Sequence, residues 1–385
     1  MVKTYIESDF ESGNIEDVER IGSSHFSCRA RKDTSPYALW FYFKIENAAG
    51  KEITIDLVNT KETLGGPFSW NEVRPVFSYD QKNWSRINNV KNIPEKGIFS
   101  FKYRFKKDPV WIAYCYPYTY TDLLKCLEKL KENPYVKIDD VGKSEEGRTI
   151  YALTITDYEA EKKKIGVCLT ARHHAGETPG SHVLNGILEF LLSDDEIAQK
   201  MRSSFIFLVF PMVDIDGVYN GRYGKDSKPV DFYSDWDVNS KPLRPEIRVI
   251  QKVIDNFATQ NNYSIFIDLH APCSHNFNYF YIGPSEKLPI RYYMNQLRFL
   301  KIFERNCPEL YCSTDYQDPE ALSGFIKTSS WYQYYKYGVL SMTAEISYHK
   351  NRFGEYMSIA SMRLFGKGLA KAIYDYFKSL RCRNI

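Results

Sequence analysis

Three short segments carry residue types that together support metal-assisted hydrolysis. The first is Arg172-His173-His174-Ala175-Gly176-Glu177-Thr178-Pro179. A His-x-x-Glu on a turn brings an imidazole and a carboxylate onto one cation, and both are good zinc ligands. Standing alone the pattern is weak, because Glu177 or Thr178 in a strand-to-helix loop can equally serve a helix N-terminus. The second segment is Asp268-Leu269-His270, at the end of an apolar run. A histidine there can reach a site built by the first loop, or can satisfy its nitrogens locally. The third is Thr343-Ala344-Glu345-Ile346-Ser347. A carboxylate inside the otherwise apolar run Val339–Ile346 is costly unless it is paired, as with an arginine, or functional.

Taken together, the three segments shift the balance toward chemistry. Two histidines and one glutamate leave one position open on a tetrahedral zinc, the pattern of a catalytic site. Such a metal acidifies its bound water, and a nearby carboxylate accepts the proton. This reading gives one zinc per chain, held by His174, Glu177 and His270, with Glu345 as general base. His173 and His182 are not read as ligands, since one sits beside the motif and the other lies within the next helix.

The elements that must position these residues are legible in outline. Residues 1–118 read as a small all-β sandwich domain. Ala38–Ile45, Glu52–Val58 and Ile98–Phe105 alternate or are rich in β-branched and aromatic residues, with turn signals between them. From residue 119 the pattern changes, and 119–385 reads as an α/β catalytic domain. Helical spacing begins at Thr121. Ile165–Ala171, Phe205–Phe210, Ile265–Leu269 and Val339–Ile346 read as strands. Thr178–Leu192, Pro245–Phe257 and Ser358–Leu380 read as helices. In α/β sheets of this kind, active sites collect at strand ends.

The motifs resemble those of the zinc carboxypeptidases, in the cytosolic carboxypeptidase branch. His174-Ala175-Gly176-Glu177-Thr178-Pro179 is similar to the family's His-Pro-Gly-Glu-Thr-Pro, and Asp268-Leu269-His270 and Glu345 fall where the third ligand and the catalytic glutamate belong. Gly142–Arg148, Pro211-Met212 and Asp216-Gly217-Val218 match neighbouring stretches, and Trp40–Lys44 and Ala113–Tyr120 resemble the N-terminal sandwich. The resemblance implies a mixed eight-stranded sheet flanked by helices. It also implies a peptide or amide-containing small-molecule substrate and an Asp, here Asp231, that orients the first zinc-binding histidine.

One segment departs from the family pattern. Where the family has Asp-x-Asn-Arg-x-Trp, this chain has Asp231-Phe232-Tyr233-Ser234-Asp235-Trp236. The family's Asn and Arg grip the substrate's terminal carboxylate. A serine cannot replace the bidentate, charge-assisted fork of an arginine. The pocket is therefore assigned to Tyr233, Ser234, Asp235, Arg244 and His275, with altered specificity. Lys225 lies near the family position of an oxyanion-stabilising arginine, and Arg222 is the alternative. The family also uses a mobile tyrosine, and Tyr332, Tyr334, Tyr335 and Tyr316 all remain open for that part. Two further readings stay open: an amidase or deacylase acting on a non-peptide or modified substrate, and a non-catalytic binding protein.

Composition bounds the rest. A chain of 385 residues with 43% apolar and 26% charged residues has ample material for a folded core. A net charge of +3 is too small to suggest nucleic acid or an anionic membrane as partner. The eight cysteines form no Cys-x-x-Cys pair and read as buried thiols of a reducing compartment. The first residues lack an apolar signal core, so a cytoplasmic location is expected. Oligomeric state is not legible.

Overall fold

The computed structural model describes residues 3–160, 163–272, 277–282, 288–308, 312–313 and 327–381. The N-terminal part forms two five-stranded sheets. One runs Tyr5–Glu7, Tyr42–Glu46, Val110–Ala113, Val76–Ser78, Ser85–Arg86 in spatial order. The other runs Glu16–Arg20, His25–Arg29, Glu52–Leu57, Ile98–Arg104, Val90–Ile93. Period-two alternation explains the second sheet: Ile53, Ile55 and Leu57 are buried while Glu52, Thr54 and Asp56 are not. Phe41, Trp70, Phe99, Phe101 and Tyr114 stack and tilt against one another in the core.

The strand expected over Ala38–Ile45 begins only at Tyr42. Ala38–Phe41 is fully buried irregular backbone. Trp40 within it reaches the part of the chain beyond residue 119, where its Cβ stands 3.2 Å from the place a side chain would take at Gly176.

The rest of the chain builds one eight-stranded sheet. In chain order its strands are β1 (Val136–Lys143), β2 (Thr149–Ile155), β3 (Ile165–Ala171), β4 (Phe205–Phe210), β5 (Asn262–His270), β6 (Asn278–Tyr281), β7 (Cys312–Ser313) and β8 (Leu340–Glu345). Their spatial order is β1-β2-β4-β3-β5-β8-β6-β7. The central four, β4, β3, β5 and β8, are mutually parallel, and β1, β2 and β6 pair antiparallel. Every residue of β3 and β8 is buried, as expected for central parallel strands covered on both faces.

The helices are α1 (Tyr120–Leu130), α2 (Pro179–Leu191), α3 (Glu196–Ser204), α4 (Ile215–Tyr219), α5 (Pro245–Gln260), α6 (Ile290–Asn306), α7 (Ser329–Tyr337) and α8 (Ile359–Arg381). Helix α2 packs on α8, α5 packs on β1, β3 and β5, and α7 packs on β5 and β8. Helix α1 starts with a capping box, Thr119 and Asp122 each accepting from the other's backbone N–H. No helix among the described residues is long and apolar enough to cross a membrane.

Backbone contacts tie the two parts together at a loop that borders the candidate site. Asn14 is fully buried and donates to the carbonyl of Gly221 at 2.7 Å and to that of Arg31 at 3.1 Å. Ser12 donates to the Val218 carbonyl at 2.7 Å, and Arg31 to that of Asn220 at 2.9 Å. Ser35 donates to the Lys225 carbonyl. Loops of the N-terminal part thus brace residues 218–225.

Candidate active site

The proposed ligands sit at the C-terminal edge of the parallel strands. His270 is the last residue of β5 and Glu345 the last of β8, and the two are register partners. His174 and Glu177 follow β3, which lies on the other side of β5. Adjacent parallel strands that end together bring their terminal side chains to one place, which is why the sites of open α/β sheets form there.

The loop after β3 turns tightly. Arg172 takes a positive φ of 66°, which is uncommon for a residue with a side chain. Its buried guanidinium donates to the carbonyls of Ala175 and Tyr118 and to Ser181 Oγ, clamping the turn. Glu177 N–H donates to the His174 carbonyl at 3.1 Å, which sets the two side chains on the same side. Gly224, at φ 90°, passes so close that a Cβ there would lie 2.7 Å from Ala175 N. Pro179 begins α2 and Thr178 gives it no side-chain cap. Glu177 does not serve the helix either, because both its oxygens turn into the site.

His174 Nδ1 lies 2.8 Å from Glu177 Oε1, and His270 Nδ1 lies 2.9 Å from Glu177 Oε2. The two Nδ1 atoms are 3.2 Å apart. Zinc bonds of about 2.0–2.1 Å place tetrahedral donors roughly 3.3 Å apart, so this trio is spaced for the metal. Two imidazole nitrogens facing each other across a buried gap need a proton or a cation between them. All three residues are buried, and together they form one of two groups, among the described residues, whose donor atoms converge as metal ligands do.

The far side of each imidazole is backed by a carboxylate. His174 Nε2 is 3.1 Å from both oxygens of Asp231, which also accepts the backbone N–H groups of Asp226 and Tyr233. Asp268 Oδ2 lies 3.0 Å from His270 Nε2, near it but off the hydrogen-bonding direction. Asp268 Oδ1 accepts from Thr170 at 2.7 Å and pairs with His173 Nδ1 at 2.9 Å. Asp231, bonded to His174 Nε2, leaves Nδ1 of that ring for the metal. Burial disfavours a charged His174, but Asp231 and Glu177 outweigh that and raise it to about 9. The site therefore draws positive charge. Burial alone would raise Asp231, yet His174 and Lys225 hold it well below the usual carboxylate range.

Glu345 is buried and its Oε2 has no hydrogen-bond partner among the described residues. Burial, and then the charge of Glu177, pushes it up to about 7, against the pull of His270 and Lys225. A carboxylate poised near neutrality with an unengaged oxygen has the properties of a general base.

The remaining residues named from sequence divide. Lys225 is half-buried, and its ammonium stands 5.9 Å from the Tyr233 ring. Burial opposes its charge, but Asp231, Asp226, Glu177 and Glu345 raise its pKa. Arg222 reaches instead to Glu146 at 3.4 Å. Arg244 donates to the carbonyls of Val230 and Lys228 and to Ser227 Oγ. Asp235 accepts the N–H groups of Leu243 and Arg244. Arg222, Arg244 and Asp235 are thus engaged with partners other than the metal-ligand trio.

Ser234 is half-buried in the short turn Phe232–Ser234. Tyr233 packs edge-on to His270 and His174, with centroids 4.7 and 5.9 Å apart, and its hydroxyl meets Thr343 Oγ1 at 3.0 Å. His275 and Tyr316 lie outside the described residues. The sequence assigns Asp268 no part beyond its place in the Asp-Leu-His motif. The signal was available, because Asp268 and His270 are two apart on one strand and so share a face.

Residues 6–115 match the model of the cytosolic carboxypeptidase N-terminal domain, and residues 123–244 match that of zinc carboxypeptidase. The chain belongs to the zinc carboxypeptidase family. It falls in the family's cytosolic carboxypeptidase branch, which carries the N-terminal domain. It is 33% identical over 287 residues to cytosolic carboxypeptidase 6 of Caenorhabditis elegans, covering 69% of this chain and 61% of that one. It is 27% identical over 406 residues to cytosolic carboxypeptidase 2 of Xenopus tropicalis, covering 96% of this chain and 41% of that one. The chain therefore spans less than two thirds of either relative. The metallo-carboxypeptidase of Burkholderia cenocepacia shares the fold, with a TM-score of 0.88 at 22% identity, over 98% of this chain and 100% of that one.

Proposed function

We propose that this chain is a zinc-dependent hydrolase of amide bonds that uses one zinc. One observation carries the reading. His174 Nδ1, His270 Nδ1 and Glu177 converge on one point, each imidazole is backed by a carboxylate, and Glu345 stands nearby with an oxygen unengaged. When bound, zinc would polarise the scissile carbonyl and acidify a water molecule.

The chain's own residues do the rest. His174, Glu177 and His270 hold the metal, and Asp231 and Asp268 hold the two rings in orientation. Glu345 takes a proton from the attacking water and delivers it to the departing nitrogen. The water oxygen bonds to the carbonyl carbon, the C–N bond breaks, and an acid and an amine leave. Lys225 supplies positive charge for the tetrahedral oxyanion, a contribution worth about 3–4 kcal/mol in acyl-transfer sites. It is favoured over Arg222 because its electrostatic neighbours include Glu177 and Glu345.

Peptides are the substrate class that the family name suggests. The N-terminal unit is taken as residues 1–118 and the catalytic unit as 119–385. A cytosolic location fits the relatives' names and the thiols of Cys28, Cys115, Cys126 and Cys168, which are outside any disulfide.

The test is paired. Purified protein is assayed for zinc, and Glu345→Gln is assayed for zinc and for amide hydrolysis. Zinc near one per chain in both, with hydrolysis lost in the variant, supports the reading. Full activity in Glu345→Gln removes Glu345 from the mechanism, and protein that binds no zinc removes the hydrolase.

A further inference from the structure

Helix α4 ends against the N-terminal part of the chain, and that part supplies what the helix end lacks. The last carbonyls of a helix have no partner within it. Those of Asp216 and Gly217 accept from the N–H groups of Asn220 and Arg222 as the chain turns. The next four carbonyls meet the other part. Val218 accepts from Ser12 Oγ at 2.7 Å, Tyr219 from the Ser12 N–H at 2.7 Å, Asn220 from the Arg31 guanidinium at 2.9 Å and Gly221 from Asn14 Nδ2 at 2.7 Å. Asn14 is fully buried, and its Oδ1 accepts the Arg31 N–H at 2.7 Å. One amide side chain thus locks its own loop both to Arg31 and to Gly221.

The same segment presses on the metal turn from its other side. Gly221, at φ 70°, leaves no room for a side chain, because a Cβ there would lie 2.3 Å from the Gly13 carbonyl oxygen. At Gly224 a Cβ would lie 3.3 Å from His174 Cα as well as against Ala175 N. Between the two glycines, the Tyr223 carbonyl accepts the Gly176 N–H at 2.8 Å. Residues 221–224 are thus a shim, with Gly13 on one face and the turn that carries His174 and Glu177 on the other. Lys225 is the next residue, and after it the Asp226 N–H donates to Asp231 Oδ2 at 2.6 Å. A shim held on both faces sets where the Lys225 backbone stands relative to the metal turn.

Resting on the hydrolase reading above, we propose that Asn14 and Ser12 are positioning residues for the reaction: they hold residues 218–224 against the metal turn and so fix Lys225 where the tetrahedral oxyanion forms. Neither touches the reacting atoms. A charge stabilises an oxyanion best when it is already in place as the oxyanion forms. Lysine carries its charge on a flexible four-carbon stem, so the placement of its backbone matters. The N-terminal part supplies no reacting group, yet it completes the active site.

The test uses the zinc-loaded full chain and two readouts. The first is hydrogen exchange, which needs no turnover. Asn14→Ala should quicken exchange of the Gly176 N–H by about tenfold while the amides of β3 and β5 keep their wild-type rates. The second is turnover of the best-hydrolysed member of a library of short blocked peptides with free and amidated C-termini. Asn14→Ala should lower kcat and kcat/KM together by about 10–100-fold, the cost of a displaced group. Lys225→Met should lower them by about 10²–10³-fold, and Asn14→Ala on that background should cost about threefold or less, because the group it positions is gone. Equal losses on the two backgrounds overturn the proposal. So does wild-type kcat in a folded Asn14→Ala, and so does exchange that quickens equally in every strand. Should Asn14→Ala not fold, Ser12→Ala removes one hydroxyl from Val218 and goes through the same cycle, with a loss of about threefold to tenfold expected in the wild-type background. No loss, or an equal loss on Lys225→Met, overturns the proposal there too. If zinc-loaded wild type hydrolyses no member of the library, the hydrolase reading fails and takes the proposal with it; wild-type turnover without the expected loss in the variants overturns the proposal alone.

Discussion

On the metal side of the site, His174, Glu177, His270 and Glu345 come from the ends of three adjacent strands or the tight turn after one of them. On the facing side, Tyr233, Ser234, Asp235 and Arg244 come from a loop. There Asp231 and Asp235 accept backbone N–H groups of their own segment, and Arg244 donates to carbonyls fourteen and sixteen residues behind it. The strands fix the chemistry, because register leaves their terminal residues little freedom. The loop backbone is braced within itself, so a side chain such as Ser234 can change without moving the strands that carry the ligands. A chain can therefore keep a metal site while replacing the residues that read the substrate. The two sides meet at Asp231, whose carboxylate serves both His174 and the loop backbone, and at Tyr233, whose ring packs on both histidines.

This contrast can be broken by mutation. Replacing a strand-borne ligand, as in His270→Ala, is expected to abolish both zinc retention and hydrolysis, measured by metal analysis and turnover. Glu345→Gln is expected to keep zinc and to lower kcat by about 10²–10⁴-fold, the usual range for a positioned acid–base group. Asp268→Asn keeps the ring's neighbour but weakens its negative charge. Zinc affinity should fall about 10–100-fold in a chelator competition, as for other groups that orient a ligand. Asp235→Ala, on the loop side, should cost about 1–2 kcal/mol in denaturant unfolding through two lost N–H acceptors. Its zinc affinity should stay at the wild-type value. A large loss of zinc affinity in Asp235→Ala would show that the loop is not energetically separate from the ligands.

How much of this was legible in the sequence follows the same division. The central strands announced themselves as apolar runs, and two of them, β5 and β8, end at residues of the site. The switch from period two to helical spacing near Tyr120 was legible too. The strands of two to four residues in the N-terminal sheets were not, because so short a stretch shows no period. Helix α6 was missed because Ile290–Asn306 is rich in aromatic and β-branched residues that read equally as strand. The β-rich N-terminal part shows no chemistry in its sequence, and the structure gives it a bracing part through Ser12, Asn14, Arg31 and Ser35. No local pattern reveals that part, since the contacts span about 200 residues of chain, as Asn14 to Gly221 does. Arg222 and Arg244 looked available from sequence. Only the fold shows that Glu146 and the Val230 and Lys228 carbonyls already engage them.

The central claim is that His174, Glu177 and His270 hold one zinc. The most direct test is calorimetric titration of metal-free protein with zinc, beside His270→Ala. Saturation at about one zinc per chain is expected for the wild type and none for the variant. Equal zinc binding by the two proteins, or no binding by either, would contradict it.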